Sequence, residues 1–364
     1  PASVLKELLE NALDAGATRL DIHIREGGKS YLSIRDNGRG MSVDDLVLCV
    51  ERHATSKIPL DDLWAITTFG FRGEALPSIG SVARLTLSSK QKNSPEGWSL
   101  SVEGGKKSDP KPVAMEEGTK VEVRDLFFAT PARLKFLKST AQETKNITDV
   151  IEKMALKYTD VAFYYHVNDR EILQLPITSF ENRLATLMGK DLASNHVILK
   201  SQREDYKAWG ILSLPTLHKS TSMYQHLYIN GRYIKEKLFH YCLKTAYHDL
   251  MPHNRFSMAV VFLDIPLQDL DINVHPAKTE VRFKDIGFLR SFLLASFKES
   301  LQHITYRAAD TLRHQALNRF QPNFKTQPFF EQKSNMKPVY SQPSLSTVPH
   351  IALPEQKKTD PELK

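Results

Sequence analysis

The opening of the chain changes hydrophobic period twice, and this limits the fold more than any other feature. Over Ala2–Ala15 the apolar residues Leu5, Leu8, Leu9 and Ala12 recur at helical spacing, and Gly16 follows where a helix C-terminal cap favours glycine. Thr18–Arg25 then alternates through Leu20, Ile22 and Ile24. Glu26–Gly28 turns the chain, and Tyr31–Arg35 alternates again through Leu32 and Ile34. A helix feeding a strand pair predicts an α+β layer, with helices on one face of a largely antiparallel sheet.

The same reading predicts a helix over Ser42–Arg52, with Ser42 and Asp45 as a capping box. Strands follow at Val82–Ser88, Trp98–Val102 and Lys120–Arg124, then a helix over Glu143–Tyr158 and a strand over Val161–Val167. A second unit is expected from near Ser201, with strands at Tyr206–Ser213, Gln225–Ile229, Phe256–Ile265 and Ile272–Val274. Its helices are expected around Glu236–His248 and Gly287–Ile304. Residues 311–364 are rich in Gln, Pro, Ser, Lys and Asn without apolar periodicity, which predicts a disordered linker. The expected division is therefore 1–200, 201–310 and 311–364. Because the chain opens at Pro1 and enters a patterned helix at once, it is expected to lack its native N-terminus.

Composition narrows the partners. Lys and Arg total 49 against 42 Asp and Glu, a net charge of +7, which favours a polyanionic partner. Cys49 and Cys242 stand far apart in no Cys/His cluster and are expected to be small buried hydrophobes. No apolar run approaches the ~18 residues that a transmembrane helix needs, so a cytoplasmic location away from membranes is expected.

The first helix carries the chemistry. With Glu7 at zero on a helical wheel, Asn11 falls near +40°, Asp14 near −20° and Glu10 near −60°, at about 100° per residue. Three carboxylates and an amide thus share one arc with no cation among them, and a bound cation would relieve their repulsion. An Asn carbonyl beside acids is a hard-oxygen donor for Mg²⁺. The competing reading is an acidic solvated face.

Two glycine loops add to this. Asp36-Asn37-Gly38-Arg39-Gly40-Met41 places an acid at a strand end, with glycines that let backbone approach a flat ligand. Asp36 could accept from an exocyclic amine and Met41 could wall a ring, although the loop taken alone reads first as a plain hairpin turn. Gly70-Phe71-Arg72-Gly73 precedes a short helix and could present N–H groups to phosphates, or be an ordinary loop.

In this order, Glu7-x-x-x-Asn11, Asp36-x-Gly38-x-Gly40, Gly70-x-x-Gly73 and Gly118-Thr119 resemble the motifs of the GHKL ATPases, the family of gyrase B, Hsp90, sensor histidine kinases and MutL. Leu13-Asp14-Ala15-Gly16-Ala17, Arg52-His53-Ala54-Thr55-Ser56-Lys57, Thr130-Pro131-Ala132-Arg133 and Asn273-Val274-His275-Pro276-Ala277-Lys278 look like the bacterial MutL mismatch repair branch. The resemblance spans about residues 1–305.

The resemblance implies a GHKL (Bergerat) ATPase α/β sandwich followed by a ribosomal protein S5 domain 2-like α/β domain. It implies that Glu7 is the general base, that Asn11 ligates Mg²⁺, and that Asp36, supported by Thr119, binds adenine. Gly38, Gly40 and Met41 would line the base. His53 to Leu76, including Lys57, Gly70, Phe71, Arg72 and Gly73, would form a lid over ATP, and Lys278 would reach the γ-phosphate. A surface lysine is the alternative for Lys278, and a structural role for His275. It further implies slow hydrolysis, ATP-driven homodimerisation, sequence-independent DNA binding, and service to a MutS-type mismatch-recognition protein and a downstream nuclease or helicase at the nucleoid. An N-terminal arm of the family would be absent, which weakens expected ATP binding and dimerisation. An endonuclease in an absent C-terminal region would lie beyond this sequence.

Arg232, Lys235, Lys237 and Lys244, interleaved with Tyr233, Phe239 and Tyr241, suggest a phosphate-contacting groove, with Lys237 where the family carries a groove cation. A solvated amphipathic helix is the alternative. Rival functions are a topoisomerase subunit or histidine kinase of the same fold, and a DNA-binding module that holds ATP without turnover.

Overall fold

The structure is a computed structural model that describes residues 1–51, 73–271 and 281–319. The expected opening is present: α1 (Ala2–Asp14), β1 (Arg19–Arg25), a 3-10 turn at Glu26–Gly28 and β2 (Tyr31–Asp36). Gly16 follows α1 with φ +77°, as a C-terminal cap requires. The helix α2 (Val43–Leu48) begins with the predicted capping box, Ser42 and Asp45 bonding reciprocally.

Helix α3 (Ala75–Val82) takes Val82 from the predicted strand, which begins instead as β3 (Arg84–Lys90). Next come β4 (Gly97–Glu103), β5 (Lys106–Lys107), β6 (Lys111–Val113) and β7 (Gly118–Arg124). The short α4 (Pro131–Lys135) and long α5 (Thr140–Lys157) lead to the hairpin β8 (Ala162–Val167) and β9 (Arg170–Leu175). These strands form a nine-stranded sheet in the order β5-β4-β3-β7-β2-β1-β8-β9, with β6 on β4. Every pairing is antiparallel except β1 with β8.

One face of this sheet is buried. Leu20, Ile22, Ile24, Leu32, Ile34, Leu85 and Leu87 pack with Leu5, Leu8, Leu9 and Ala12 of α1 and Ile147 and Ile151 of α5. Each fully buried aliphatic chain of this kind contributes about 1.5–3 kcal/mol. The other face holds mutually neutralised pairs, among them Arg19–Asp21, Arg25–Asp169 and Arg84–Glu103. This is the expected α+β layer.

Helices α6 (Phe180–Met188) and α7 (Lys190–Ser194) follow, and then a second, five-stranded sheet in the order β10-β11-β16-β13-β14. Its strands are β10 (His196–Arg203), β11 (Tyr206–Ser213), β13 (Gln225–Ile229), β14 (Arg232–Ile234) and β16 (Ala259–Asp264). Two-residue strands β12 (His218–Lys219) and β15 (Phe256–Ser257) pair with each other, as do β17 (Leu270–Asp271) and β18 (Arg282–Phe283). Helices α8 (Lys237–Ala246) and α9 (Ile286–Arg319) complete the chain's described elements.

Phe239, Leu243, Phe292 and Phe297 of α8 and α9 cover one face of this sheet. Leu156 of α5 with Leu184, Met188 and Leu192 of α6 and α7 cover the other. Strand β10 crosses Ser201, and α9 continues as helix past residue 310 to Arg319. The expected strand at Ile272–Val274 lies outside the described residues, as does the remainder of the expected linker. Among the described residues no helix is long and apolar enough to cross a membrane. Cys242 is buried and Cys49 partly so, both as free thiols.

Candidate nucleotide site

Strand β2 ends at Asp36, opposite Thr119 of β7 in the sheet register. That register buries the carboxyl, leaving Asp36 only 6% exposed. Its Oδ1 accepts the Gly38 N–H at 2.9 Å, which closes an Asx turn. Burial pushes the Asp36 carboxyl up to about 6, against the opposing pull of the Gly38 and Thr119 backbone donors. A buried carboxylate has acceptor sites beyond its two backbone donors, which suits recognition of an amine.

The glycines are required by neighbouring backbone. A Cβ at Gly40, where φ is +68°, would overlap the Lys90 carbonyl oxygen. A Cβ at Gly118, where φ is +113°, would overlap the Asp36 carbonyl oxygen. Asn37 fixes the loop from beneath: its Oδ1 accepts the Thr18 and Arg19 N–H groups, each at 2.8 Å.

The loop is also tied to α1. The Arg39 N–H donates to the Ala15 carbonyl at 3.0 Å, and the Ala15 N–H donates to the Asn11 carbonyl at 3.0 Å. Glu7 and Asn11 are both half-buried on this helix, while Leu5, Leu8, Leu9 and Ala12 face the core as predicted. The polar arc needs correction. Glu10 is buried at 5% exposure, and the arc has a cation beside it, since Lys6 Nζ lies 3.7 Å from the Glu10 carboxylate.

One residue of the cradle was not singled out in the sequence. Ser89 is fully buried; its Oγ donates to the Gly118 carbonyl at 3.1 Å, stands 2.9 Å from Thr119 Oγ1 and accepts the Met41 N–H at 2.8 Å. It joins the loop that holds Met41 to the strand that holds Thr119. Only the β3–β7 register, which sets Ser89 opposite Thr119, reveals this.

Gly73 is described with φ +61° ahead of α3, where Glu74 precedes the first turn. Lys57, Gly70, Phe71, Arg72, His275 and Lys278 lie outside the described residues. Among the described residues, no three His, Cys, Asp or Glu side chains gather in a way that could hold a metal ion.

Of the candidate DNA residues, Lys237 is exposed at the start of α8, and Lys244 is exposed in its last turn. Tyr241, 47% exposed between them, has its hydroxyl 2.8 Å from the Arg290 guanidinium, a cation the sequence reading missed. Phe239 belongs to the core, and Tyr233 packs beneath Lys153, so neither interleaves with the basic stripe. Arg232 is half-buried, and its charge acts on Lys157 and Tyr158 of the first sheet's α5.

Residues 1–126 match the family described as "Histidine kinase-, DNA gyrase B-, and HSP90-like ATPase", and residues 184–302 match "DNA mismatch repair protein, C-terminal domain". The DNA mismatch repair protein MutL of Rhodospirillum rubrum is 44% identical over 328 residues, covering 88% of this chain and 52% of its own length. That of Paramagnetospirillum magneticum is 45% identical over 323 residues, covering 87% and 53%. The chain thus spans about half the length of these relatives. Among solved structures, the Aquifex aeolicus MutL ATPase domain complexed with ADP is 27% identical with a TM-score of 0.58, covering 80% of this chain and 96% of that one. The N-terminal domain of a DNA repair protein, 21% identical with a TM-score of 0.70, shares the fold. A GHKL-type sheet with a buried Asp36, glycines forced by backbone contact and a second mismatch-repair domain agree on one conclusion: the chain belongs to the MutL family of DNA mismatch repair proteins and carries that family's ATPase domain.

Proposed function

We propose that this chain binds ATP with Mg²⁺ at the Asp36–Met41 loop and α1, hydrolyses it slowly, and uses it as a switch for DNA and partner binding. The observation that carries this is the buried Asp36 carboxyl, held by the Gly38 and Thr119 backbone donors at the foot of the Gly38–Met41 loop. The ADP named with the Aquifex aeolicus relative supports the ligand class.

In this reading Asp36 accepts from the adenine amino group, with Thr119 in support. Gly38 and Gly40 give the base room, and Met41 walls it. Glu7 takes a proton from the attacking water, and Asn11 offers its carbonyl oxygen to the cation. Mg²⁺, when bound, supplies charge neutralisation across the phosphates. Lys57, Gly70, Phe71, Arg72 and Gly73 would close over the phosphates, and Lys278 would reach the γ-phosphate. These assignments rest on the family motifs.

Nucleotide-driven homodimerisation then brings two copies together on DNA, held without sequence preference through Lys237 and neighbouring cations. Arg232, turned toward α5, is the weaker of the two proposed DNA contacts. The assembly would act in the cytoplasm at the nucleoid, relaying a mismatch signal from a MutS-type protein to a repair nuclease or helicase. The ATPase domain would end before β10, the transducer would run from His196 through α9, and a linker would follow Arg319.

Glu7→Ala tests the enzymatic part. The variant should keep nucleotide affinity and lose phosphate release. Equal phosphate release from both proteins would remove the general base, and no release from the wild type would favour a binding module without turnover.

A further inference from the structure

The sheet of the second domain meets the first domain along α5. Tyr228 of β13 donates its hydroxyl to the Lys153 carbonyl at 2.8 Å, and Lys153 Nζ sits 4.5 Å from the Tyr233 ring centroid of β14. At the turn between those strands stands Gly231, with φ +80°. A Cβ there would meet Lys157 Nζ, so the turn lies directly against that ammonium.

Lys157 is the last residue of α5, and its Nζ donates to the Tyr158 hydroxyl at 2.7 Å. The pair is influenced from two sides. Burial, then the charge of Arg232, depress the Lys157 ammonium to about 8, while Asp160, Glu10 and Asp264 oppose this. Burial raises Tyr158, and Asp14 and Glu10 add to it. Glu10 and Asp14 belong to α1, on either side of Asn11 in the sequence and on the helix that carries Glu7. Arg232 opens β14, which runs by a short connection into α8 and Lys237.

We propose that Lys157, at the end of the α5 helix that packs against α1 and beneath the Gly231–Arg232 turn, is a coupling residue, which passes movement of the nucleotide helix to the hairpin leading into Lys237. The inference rests on the nucleotide-switch reading above. It follows from geometry: α1 packs against α5, Lys157 ends α5, and the hairpin turn lies against its ammonium, so a displacement of α1 that moves Glu10 changes the field there. In a partly buried setting such a charge is weakly screened, so a small shift is felt across the contact.

The test measures DNA affinity with and without a non-hydrolysable ATP analogue, alongside hydrogen exchange across residues 225–237. In the wild type the analogue should change DNA affinity at least about five-fold and alter exchange in the hairpin. In Lys157→Met the analogue should bind as before, while the DNA ratio falls below about two-fold and the exchange change disappears. Lys157→Arg should retain both. Gly231→Ala, which keeps the lysine but pushes its ammonium away from the turn, should repeat the loss if Lys157→Met folds poorly. Retention of the full ratio in Lys157→Met, or in Gly231→Ala, overturns the inference with the switch intact. A wild type whose DNA affinity ignores the analogue overturns the switch itself, and the inference with it.

Discussion

Ser89 Oγ stands 2.9 Å from Thr119 Oγ1, across the pairing of β3 with β7, and the same hydroxyl accepts the Met41 N–H. One buried group therefore holds both the strand beneath the proposed adenine site and the loop above it. Ser89→Ala strands the Met41 N–H in a dry setting, at about 1–3 kcal/mol. Thermal melting should show that loss, and calorimetry should show weaker ATP binding as Met41 shifts. Unchanged values in both would remove Ser89 from the cradle.

Asp36 carries a cost with a definite sign. Its folded-state value, about 6, lies above the ordinary 3.8, so between those pH values the native state holds more protons than the unfolded one. Stability from this group is therefore complete at low pH, falls as pH rises from about 4 to about 6, and stays reduced above. Asp36→Asn removes the penalty, which is at most about 3 kcal/mol. At pH 8 the variant should melt higher than the wild type and bind ATP more weakly, and the melting gap should close below about pH 4. Wild-type ATP affinity should also decline as pH falls through about 6.

The glycines make a controlled comparison. Gly118→Ala forces a Cβ into the Asp36 carbonyl oxygen at a positive φ, and backbone cannot yield as a flexible side chain would. Gly16→Ala, at φ +77°, meets nothing within 4 Å and pays only the left-handed strain of about 1–2 kcal/mol. Denaturant titration should find Gly118→Ala the more damaging by several kcal/mol. Similar losses would mean that the β2–β7 contact relaxes freely.

The site was legible where the constraint is local. Gly38 and Gly40 announce close backbone approach within a few residues of Asp36, and α1 announces its buried face by spacing alone. Ser89 shares the parity of Leu85 and Leu87, so alternation places it on the buried face, but the polar partners it meets there depend on the β3–β7 register and were not legible. Glu10 went astray for a related reason: the helical wheel gives direction but not what packs against it. Strands β9 and β10 escaped because Ile172, 51% exposed, and Ile198, 74% exposed, blur the alternation. Helix α6 carried a missed signal, since Ser179 accepts the Asn182 N–H as an N-terminal cap.

Arg183 shows how much the edge of the first core depends on a single cation. It is 1% exposed, and its guanidinium donates to the carbonyls of Ala155 at 3.1 Å, Val161 at 3.1 Å and Pro176 at 2.8 Å. Arg183→Met keeps the volume but orphans three acceptors, so a loss of about 3–5 kcal/mol is expected in denaturant titration. Arg183→Lys cannot fork to all three and should recover only part of it. Full recovery by lysine would show that charge, rather than the planar fork, holds the end of α5.

Lys237 gives the DNA reading its sharpest test. On α8 it lies one turn before Tyr241, whose hydroxyl meets Arg290, and Lys244 follows on the same side, so the exposed stripe is cationic around one aromatic ring. Phosphate contacts of this kind act by counterion release, each contributing about 0.9 to the slope of log affinity against log salt on duplex DNA. Lys237→Glu should weaken binding to unrelated duplex sequences alike and flatten that slope by about one unit, leaving Asp36-dependent nucleotide affinity unchanged. Arg290→Ala should act in the same direction, through the loss of both its charge and its hold on Tyr241. A Lys237→Glu protein whose salt slope matches the wild type would place the DNA path elsewhere on the molecule.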